Sequence, residues 1–441
     1  MFMKKNIFVA LGVWVATVVA SVQAQEAWSL RKCIDFAIEH NIQVQKSANE
    51  VERSKADVSS TKWARLPNLN GSVGQNWSWG RSASPVDNTY NDINSANTSF
   101  GVNTSVPLFT GLNLPNQYAL SKLNLKAAVE DLNKAKNDLA IQVASSYLQV
   151  LFNEELSRVA LEQVKISREQ SERIGQLHRM GKASPAEVAE AQARLSQDEL
   201  SAVQADNNYQ LALLDLSQLL ELPSPEGFVL LPPVDEVVFV PLTHPDDIYM
   251  QALTGKPEIK AAEYRLQGSL KSVRIALSDY YPQLSFSAGL GTNYYSVNGS
   301  ADSFSGQMKN NLSEYVGFSL SVPLFDRLST HNRVKTARLQ RTNMALQLEE
   351  TKKTLYKEIQ QAYYNAVAAE SRYRSGESAV SANRESFRLT SEKFNAGKAT
   401  SVEYNEAKLN YTKALSDQIQ AKYEYLFRVK ILDFYKGDPI Q

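Results

Sequence analysis

Four glutamates stand out by their spacing. Gly181-Lys182-Ala183-Ser184-Pro185 is followed by Glu187 and Glu190, and Gly397-Lys398-Ala399-Thr400 is followed by Glu403 and Glu406. Each run reads as a tight turn between two helices. Gly181 and Gly397 suit the left-handed conformation that ends a helix. Ser184 and Thr400 suit the cap of the next, and Pro185 its first position. Glu187 and Glu403 fall three residues after those caps and complete S-x-x-E and T-x-x-E capping boxes. Glu190 and Glu406 lie one turn further on the same helix face, where no cap explains them. Their carboxylates are either a solvated helix face or the lining of something. Nothing else is arranged for chemistry. Ser, His and Asp occur without a motif that groups them, the 4 histidines are scattered, and no Gly-rich phosphate loop or metal-ligand spacing is present. The single cysteine, Cys33, excludes a disulfide scaffold and a Cys-based zinc site and reads as an ordinary helical residue. No cofactor is expected. With 47 Lys+Arg against 47 Asp+Glu, the chain has no basic excess with which to bind nucleic acid.

The elements that must position these turns follow from a duplication. Ser105-Val106-Pro107-Leu108-Phe109 recurs as Ser321-Val322-Pro323-Leu324-Phe325, and the Gly-Lys-Ala-Ser/Thr turns recur at that same offset. Pro67-Asn68-Leu69 matches Pro282-Gln283-Leu284 at an offset one residue shorter. Ahead of the repeats, Lys4-Lys5, the apolar run Ile7 to Val19 and Val22-Gln23-Ala24 make residues 1–24 a secretory signal peptide. No cysteine directly follows it, so no lipid anchor is expected. The expected organisation is a signal peptide at 1–24, a first repeat at 25–222, a proline-rich linker at 223–245, and a second repeat with a short tail at 246–441.

Each repeat reads helix, strand, loop, strand, long helix, turn, helix. The long helices run from Asn116 to Leu177 and from Asn332 to Phe394, roughly 60 residues or about 90 Å each. Shorter helices are expected over 29–65, 186–221, 246–280 and 402–434, so that two of them end to end match one long helix. Such lengths, rich in Ala, Leu, Gln, Glu and Lys, imply coiled-coil packing.

The strands alternate with period two over 67–80, 98–109, 283–294 and 314–325. One face carries Leu69, Val73, Trp77, Phe100, Val102, Phe286, Leu290, Val316 and Phe318; the other is Asn, Ser and Gly. That pattern suits transmembrane β-strands, with Trp77, Trp79, Tyr294 and Tyr295 as an interfacial aromatic girdle against outer-membrane lipid. A soluble half-buried sheet is the alternative. Four strands cannot close a barrel, which needs about eight or more, so a membrane sheet would force several chains to share one barrel. The stretches 81–97 and 295–313 are long, polar and expected as loops on the outer face.

In the order and duplication of these motifs the chain resembles the TolC-like outer-membrane factor family, over essentially residues 26–437. Trp28-Ser29-Leu30 with Cys33-Ile34-Asp35-Phe36-Ala37 is similar to the family's first helix. Arg65-Leu66-Pro67-Asn68-Leu69 and Tyr281-Pro282-Gln283-Leu284 are similar to its helix-to-strand steps. The resemblance implies a mainly α fold with membrane β: a homotrimer with a shared 12-stranded transmembrane β-barrel and a trimeric α-helical barrel reaching into the periplasm of a Gram-negative bacterium, belted by the linker. It implies a periplasmic gate at Glu403 and Glu406, with Glu187 and Glu190 in the outer helix pair. It implies docking of a periplasmic adaptor (membrane fusion) protein at Gly181, Lys182, Gly397 and Lys398, and an inner-membrane transporter that drives export. Lys398 is close enough in sequence to pair with one of the gate carboxylates.

The expected function is thus a passive exit duct of a tripartite efflux pump for small molecules, and not an enzyme. Type I protein secretion and metal-ion efflux are the alternatives within the class. A structural coiled-coil surface protein without a channel is the alternative outside it.

Overall fold

The computed structural model describes residues 27–83, 88–92, 94–225, 229–232, 239, 241–297, 301–438 and 440. The signal peptide at 1–24 lies outside them, as do positions 226–228, 233–238 and 240 of the expected linker.

The first half runs β1 (Ala27–Trp28), α1 (Leu30–His40), α2 (Ile42–Trp63), β2 (Asn68–Ser78), β3 (Arg81–Ala83), β4 (Tyr90–Asp92), β5 (Ser95–Thr110), α3 (Asn113–Arg179) and α4 (Pro185–Leu219). After β6 (Val229–Leu230), the second half repeats the plan as α5 (Pro245–Gly255), α6 (Pro257–Ser278), β7 (Gln283–Val297), α7 (Phe304–Asn310), β8 (Ser313–Ser321), α8 (Ser329–Asn395) and α9 (Ser401–Lys436). Both long helices have 67 residues, which at the usual rise is about 100 Å. None of the described helices is long and apolar enough to cross a membrane.

Two expected helices are broken. The span 29–65 divides at Asn41, which leaves the helix at φ −64°, ψ 129° and caps α2 by accepting from Gln43 N at 2.9 Å. The span 246–280 divides at Lys256, at φ −71°, ψ 131°. There the ring of Pro257 bars the preceding residue from helical ψ. The two breaks occupy equivalent places in the two halves. At the second, Lys256 is only 6% exposed; its ammonium donates to Phe434 O at 2.9 Å and sits 3.4 Å from the Phe434 ring centroid. Burial lowers its pKa from 10.5 to about 8.

Around these breaks lie both apolar cores. One joins α1, α3 and α4 through Cys33, Val143, Leu151 and Leu216. The other joins α5, α6, α8 and α9 through Ile248, Ile259, Ile359 and Leu432. Parallel pairing of β1 with β6 straps the start of the described chain to the linker, and Tyr147 Oη lies 3.0 Å from Trp28 O beneath that strap.

The four long strands form one antiparallel sheet in the order β2-β5-β7-β8. The register sets Val73 opposite Phe100, Val102 opposite Leu290, and Phe286 opposite Phe318. One largely apolar face therefore runs across all four strands, interrupted by Gly71, Gln75 and, opposite Leu290, Glu314, while Asn, Ser and Gly dominate the other. β5 and β7 are longer than expected. β8 is shorter and stops before Pro323, which lacks the amide a ladder needs. Pro107 lies near the end of β5, and the register shifts between Pro107 and Phe109, so a bulge absorbs the missing donor. Nor are the outer connections structureless: β3 pairs with β4, and α7 lies within 295–313.

The chain enters both long helices through paired left-handed residues, Gly111 (φ 60°) with Leu112 (φ 68°), and Arg327 (φ 55°) with Leu328 (φ 63°). A Cβ on Gly111 would sit 2.5 Å from Ser278 O and 2.8 Å from Tyr281 Cβ, whereas one on Gly397 (φ 71°) meets nothing within 4 Å. The left-handed backbone costs a side chain roughly 1–2 kcal/mol. Gly397→Ala should cost about that, and Gly111→Ala clearly more. Thermal unfolding in detergent followed by circular dichroism ranks the two; equal losses would remove the steric argument. Lys256 gives a pH test. Between about 8 and 10.5 the unfolded chain holds a proton that the folded chain has released, so stability rises with pH through that window. Below it both states are protonated and the contribution is flat. Lys256→Met should lack this rise, read as the difference in unfolding temperature between the two proteins at pH 7.5 and pH 10.

Candidate functional site

The helical turns at the end farthest from the sheet carry the four glutamates. Both are built alike. Gly181 N donates to His178 O at 2.9 Å and Lys182 N to Leu177 O at 2.8 Å; Gly397 N donates to Phe394 O at 3.0 Å and Lys398 N to Lys393 O at 2.8 Å. These are paired bonds across a left-handed glycine (φ 73° and 71°), closing the carbonyl ends of α3 and α8. The next helices start on reciprocal caps. Glu187 N donates to Ser184 Oγ at 3.2 Å and Ser184 N to the Glu187 carboxylate at 2.6 Å; Glu403 N donates to Thr400 Oγ1 at 3.2 Å and Thr400 N to the Glu403 carboxylate at 2.7 Å. The amide bond from the cap residue, and then its hydroxyl, hold both carboxyls below the ordinary glutamate range. Glu187 and Glu403 are therefore cap residues that stay charged.

The other two glutamates differ from each other. Glu190 accepts from Ser401 Oγ at 3.0 Å and from Asn405 Nδ2 at 3.3 Å, which ties α4 to α9. Glu406 is exposed and has no hydrogen bond or ion pair among the described residues. Lys398 and Lys182 are exposed at the turn tips, and Lys398 forms no ion pair with a described carboxylate. A second tie joins the turns, from Arg173 on α3 to Asn395 on α8. Between the ties Tyr404 is buried, its ring 5.0 Å from that of Phe394.

Sequence reasoning missed the most buried charge in this region. Lys408, 2% exposed, donates to Asp198 Oδ2 at 2.7 Å and Gln163 O at 3.3 Å, and also meets Ser167 Oγ. Burial lowers its pKa, against the pull of Asp198. The cluster binds α9 to α3 and α4 together. A signal was present: Lys408 follows the buried Tyr404 at i+4, and Asp198 precedes the buried Ala202 at i+4, so both occupy positions where a core side chain is expected.

At the sheet end, Trp77 and Tyr294 lie on the apolar face, and Tyr295 alternates to the small-polar one. Trp79 follows the last residue of β2 and is 72% exposed. No three His, Cys, Asp or Glu side chains converge to hold a metal ion among the described residues.

A family model for outer membrane efflux proteins matches residues 33–221 and 248–437. The alkaline protease secretion protein AprF of Pseudomonas aeruginosa is 23% identical over 91% of this chain and 83% of its own length. The outer membrane protein OprJ of the same organism is 24% identical over 86% and 77%. Among solved structures, the CmeC outer membrane channel of Campylobacter jejuni superposes with a TM-score of 0.81 at 18% identity, over 93% of this chain and 86% of that one. VceC of Vibrio cholerae gives 0.76 at 16% identity, over 93% and 97%. Matched in both halves and sharing one architecture from end to end, the chain belongs to the outer membrane efflux protein family and serves as an outer-membrane exit duct.

Proposed function

We propose that three copies of this chain close one 12-stranded barrel in the outer membrane and continue as a helical tunnel into the periplasm, where an adaptor meets the Gly181-Lys182 and Gly397-Lys398 turns and an inner-membrane transporter supplies the drive. The sheet carries this reading. It has four strands, two open edges at β2 and β8, and an apolar face on which Val73 and Val316 are each 72% exposed. In hydrocarbon every strand amide must be paired, so such a sheet persists only inside a closed barrel. Trp77 and Tyr294 supply its interfacial girdle, with Trp79 just beyond the strand.

The gate belongs at the acidic turns. Around a threefold axis Glu403 and Glu406 would bring six carboxylates to one aperture, favouring cations. Glu406, the carboxylate with no partner among the described residues, is the better placed of the two to face the lumen; Glu403 divides its charge between cap and aperture. Glu187 and Glu190 stand in the outer pair, Glu190 as a brace rather than a lining group. Opening moves α8 and α9 away from α3 and α4, so it must break the Glu190 brace and the Lys408–Asp198 pair.

Small-molecule efflux is the leading cargo reading, supported by the likeness to the pyoverdine export protein OpmQ of Pseudomonas aeruginosa, 25% identical over 62% of this chain and 55% of its own length. The likeness to AprF supports protein secretion as the second. Loss of a fluorescent small-molecule export phenotype on deletion, with secreted protein unchanged, favours the first; the reverse favours the second.

Single-channel conductance in a planar bilayer tests duct and gate together. The wild type should give a small cation-selective conductance, and Glu403→Ala/Glu406→Ala a larger and less selective one. Glu406→Gln alone should remove most of the selectivity while leaving the Thr400 cap intact. A wild-type pore unchanged by either substitution would move the gate elsewhere, and a folded trimer without conductance would sink the duct. For the buried pair, Asp198→Ala strands the Lys408 charge and should cost about 3–5 kcal/mol. Asp198→Leu with Lys408→Met should recover most of that in thermal unfolding, while leaving the conductance raised, because the tether between the helix pairs is gone.

A further inference from the structure

The short helix α7 is not explained by a duct. β8 pairs with β7 only from Gln283 to Gly291, so the upper part of that β7 edge, from Thr292 to Val297, has no strand beside it among the described residues. α7 fills the place. Tyr295 N donates to Gln307 Oε1 at 2.8 Å and Gln307 Nε2 donates back to Tyr295 O at 2.9 Å, so a side-chain amide imitates the missing strand. Asn311 Nδ2 donates to Asn293 O at 2.8 Å, and Thr292 Oγ1 to Met308 O at 2.9 Å. Thr292 belongs to the apolar face of the sheet, where it sits opposite Phe100. The helix therefore leans to that side of the edge.

Its first residue leans the same way. The Phe304 ring lies 5.5 Å from that of Tyr294 and 6.5 Å from that of Phe100, both on the apolar face, yet Phe304 remains 55% exposed. Met308 follows one turn later on the same side of the helix. Lys309 is exposed beside it. Seven residues are too few to hold a helix alone, so the β7 edge fixes this one in place.

We propose that α7 is a membrane-surface element. Phe304 and Met308 rest in the boundary between headgroups and acyl chains of the outer leaflet, extending the girdle of Trp77 and Tyr294, and Lys309 reaches the lipid phosphates. The occupant is lipid because Phe304 continues, ring against ring, the face that meets the bilayer in the barrel. Exposed aromatics at that height are the groups a bilayer interface accepts. The helix also closes the part of the β7 edge that β8 leaves open, so one element seals the sheet and seats it. This inference rests on the membrane reading of the apolar face, and its test reports on the two separately.

Nitroxide labels are placed on Phe304→Cys, Met308→Cys, Asp302→Cys and Val316→Cys of the full-length protein in phosphatidylcholine–phosphatidylglycerol vesicles. Native Cys33 is fully buried, and burial pushes its thiol up to about 12, so labelling falls on the introduced site. Collision rates with oxygen and with a water-soluble nickel chelate are then compared. The oxygen-to-nickel ratio at 304 and 308 should exceed that at 302 severalfold and stay below that at 316. A water-like ratio at 304 and 308 beside a lipid-like one at 316 overturns the role of α7 and leaves the membrane face standing. A water-like ratio at 316 as well overturns both.

Discussion

A strand edge in hydrocarbon is the constraint on which everything else turns. Each unpaired amide there costs several kcal/mol, and this chain carries a four-stranded sheet whose edges are β2 and β8. The sheet is too narrow to curl shut alone. That one fact reaches down the molecule. In the proposed trimer, strands of neighbouring copies meet, the helices that leave them run side by side, and the tips of those helices converge on a common axis. The paired left-handed residues at Gly111-Leu112 and Arg327-Leu328 are where the geometry of the sheet is handed to the helices. Their occurrence at the same place in both halves indicates that the turn is dictated by the junction and not by the local residues, since three of the four are not glycine.

Below the junction the problem is one of matching lengths. A helix of 67 residues cannot be covered by one of 35. Each long helix is flanked instead by two shorter elements whose ends abut partway along, and the abutment is where the chain must break. Asn41 and Lys256 provide those breaks, one with a side-chain cap and the other with a following proline. The two apolar cores gather around them, because helix ends leave backbone groups and side-chain space that an uninterrupted coiled coil does not.

What was legible in the sequence was local. Alternation along each strand, the S-x-x-E and T-x-x-E boxes and the glycine turns all express themselves within a few residues, and the duplication repeated each signal. The break at Asn41 was hidden because its neighbours His40, Ile42 and Gln43 include neither proline nor glycine. The end of β8 was hidden because Val322 and Leu324 continue the alternation past Ser321, although Pro323 cannot. α7 sits in a run read as polar loop, and its meaning comes from a β7 edge far from any local pattern. The acidic turns were placed correctly as turns. The division of labour among the four glutamates depends on contacts between the halves that no single stretch encodes.

That division is the point at which the two halves cease to be alike. The two turns share their backbone bonds and caps, so the architecture treats Glu190 and Glu406 as equivalents. They are not, because Glu190 is taken up by Ser401 and Asn405 of the other half while Glu406 has no partner among the described residues. The asymmetry deepens inward. Asp198 lies in the first half and Lys408 in the second, at positions that the repeat does not superimpose. The halves therefore lock by complementary charge at positions where the repeat carries no matching charge, Ala414 for Asp198 and Gln192 for Lys408. A buried ion pair is poor value as a source of stability, but it does specify which helix pair sits against which. The first half is thereby committed to bracing and the second keeps a free carboxylate at the tip.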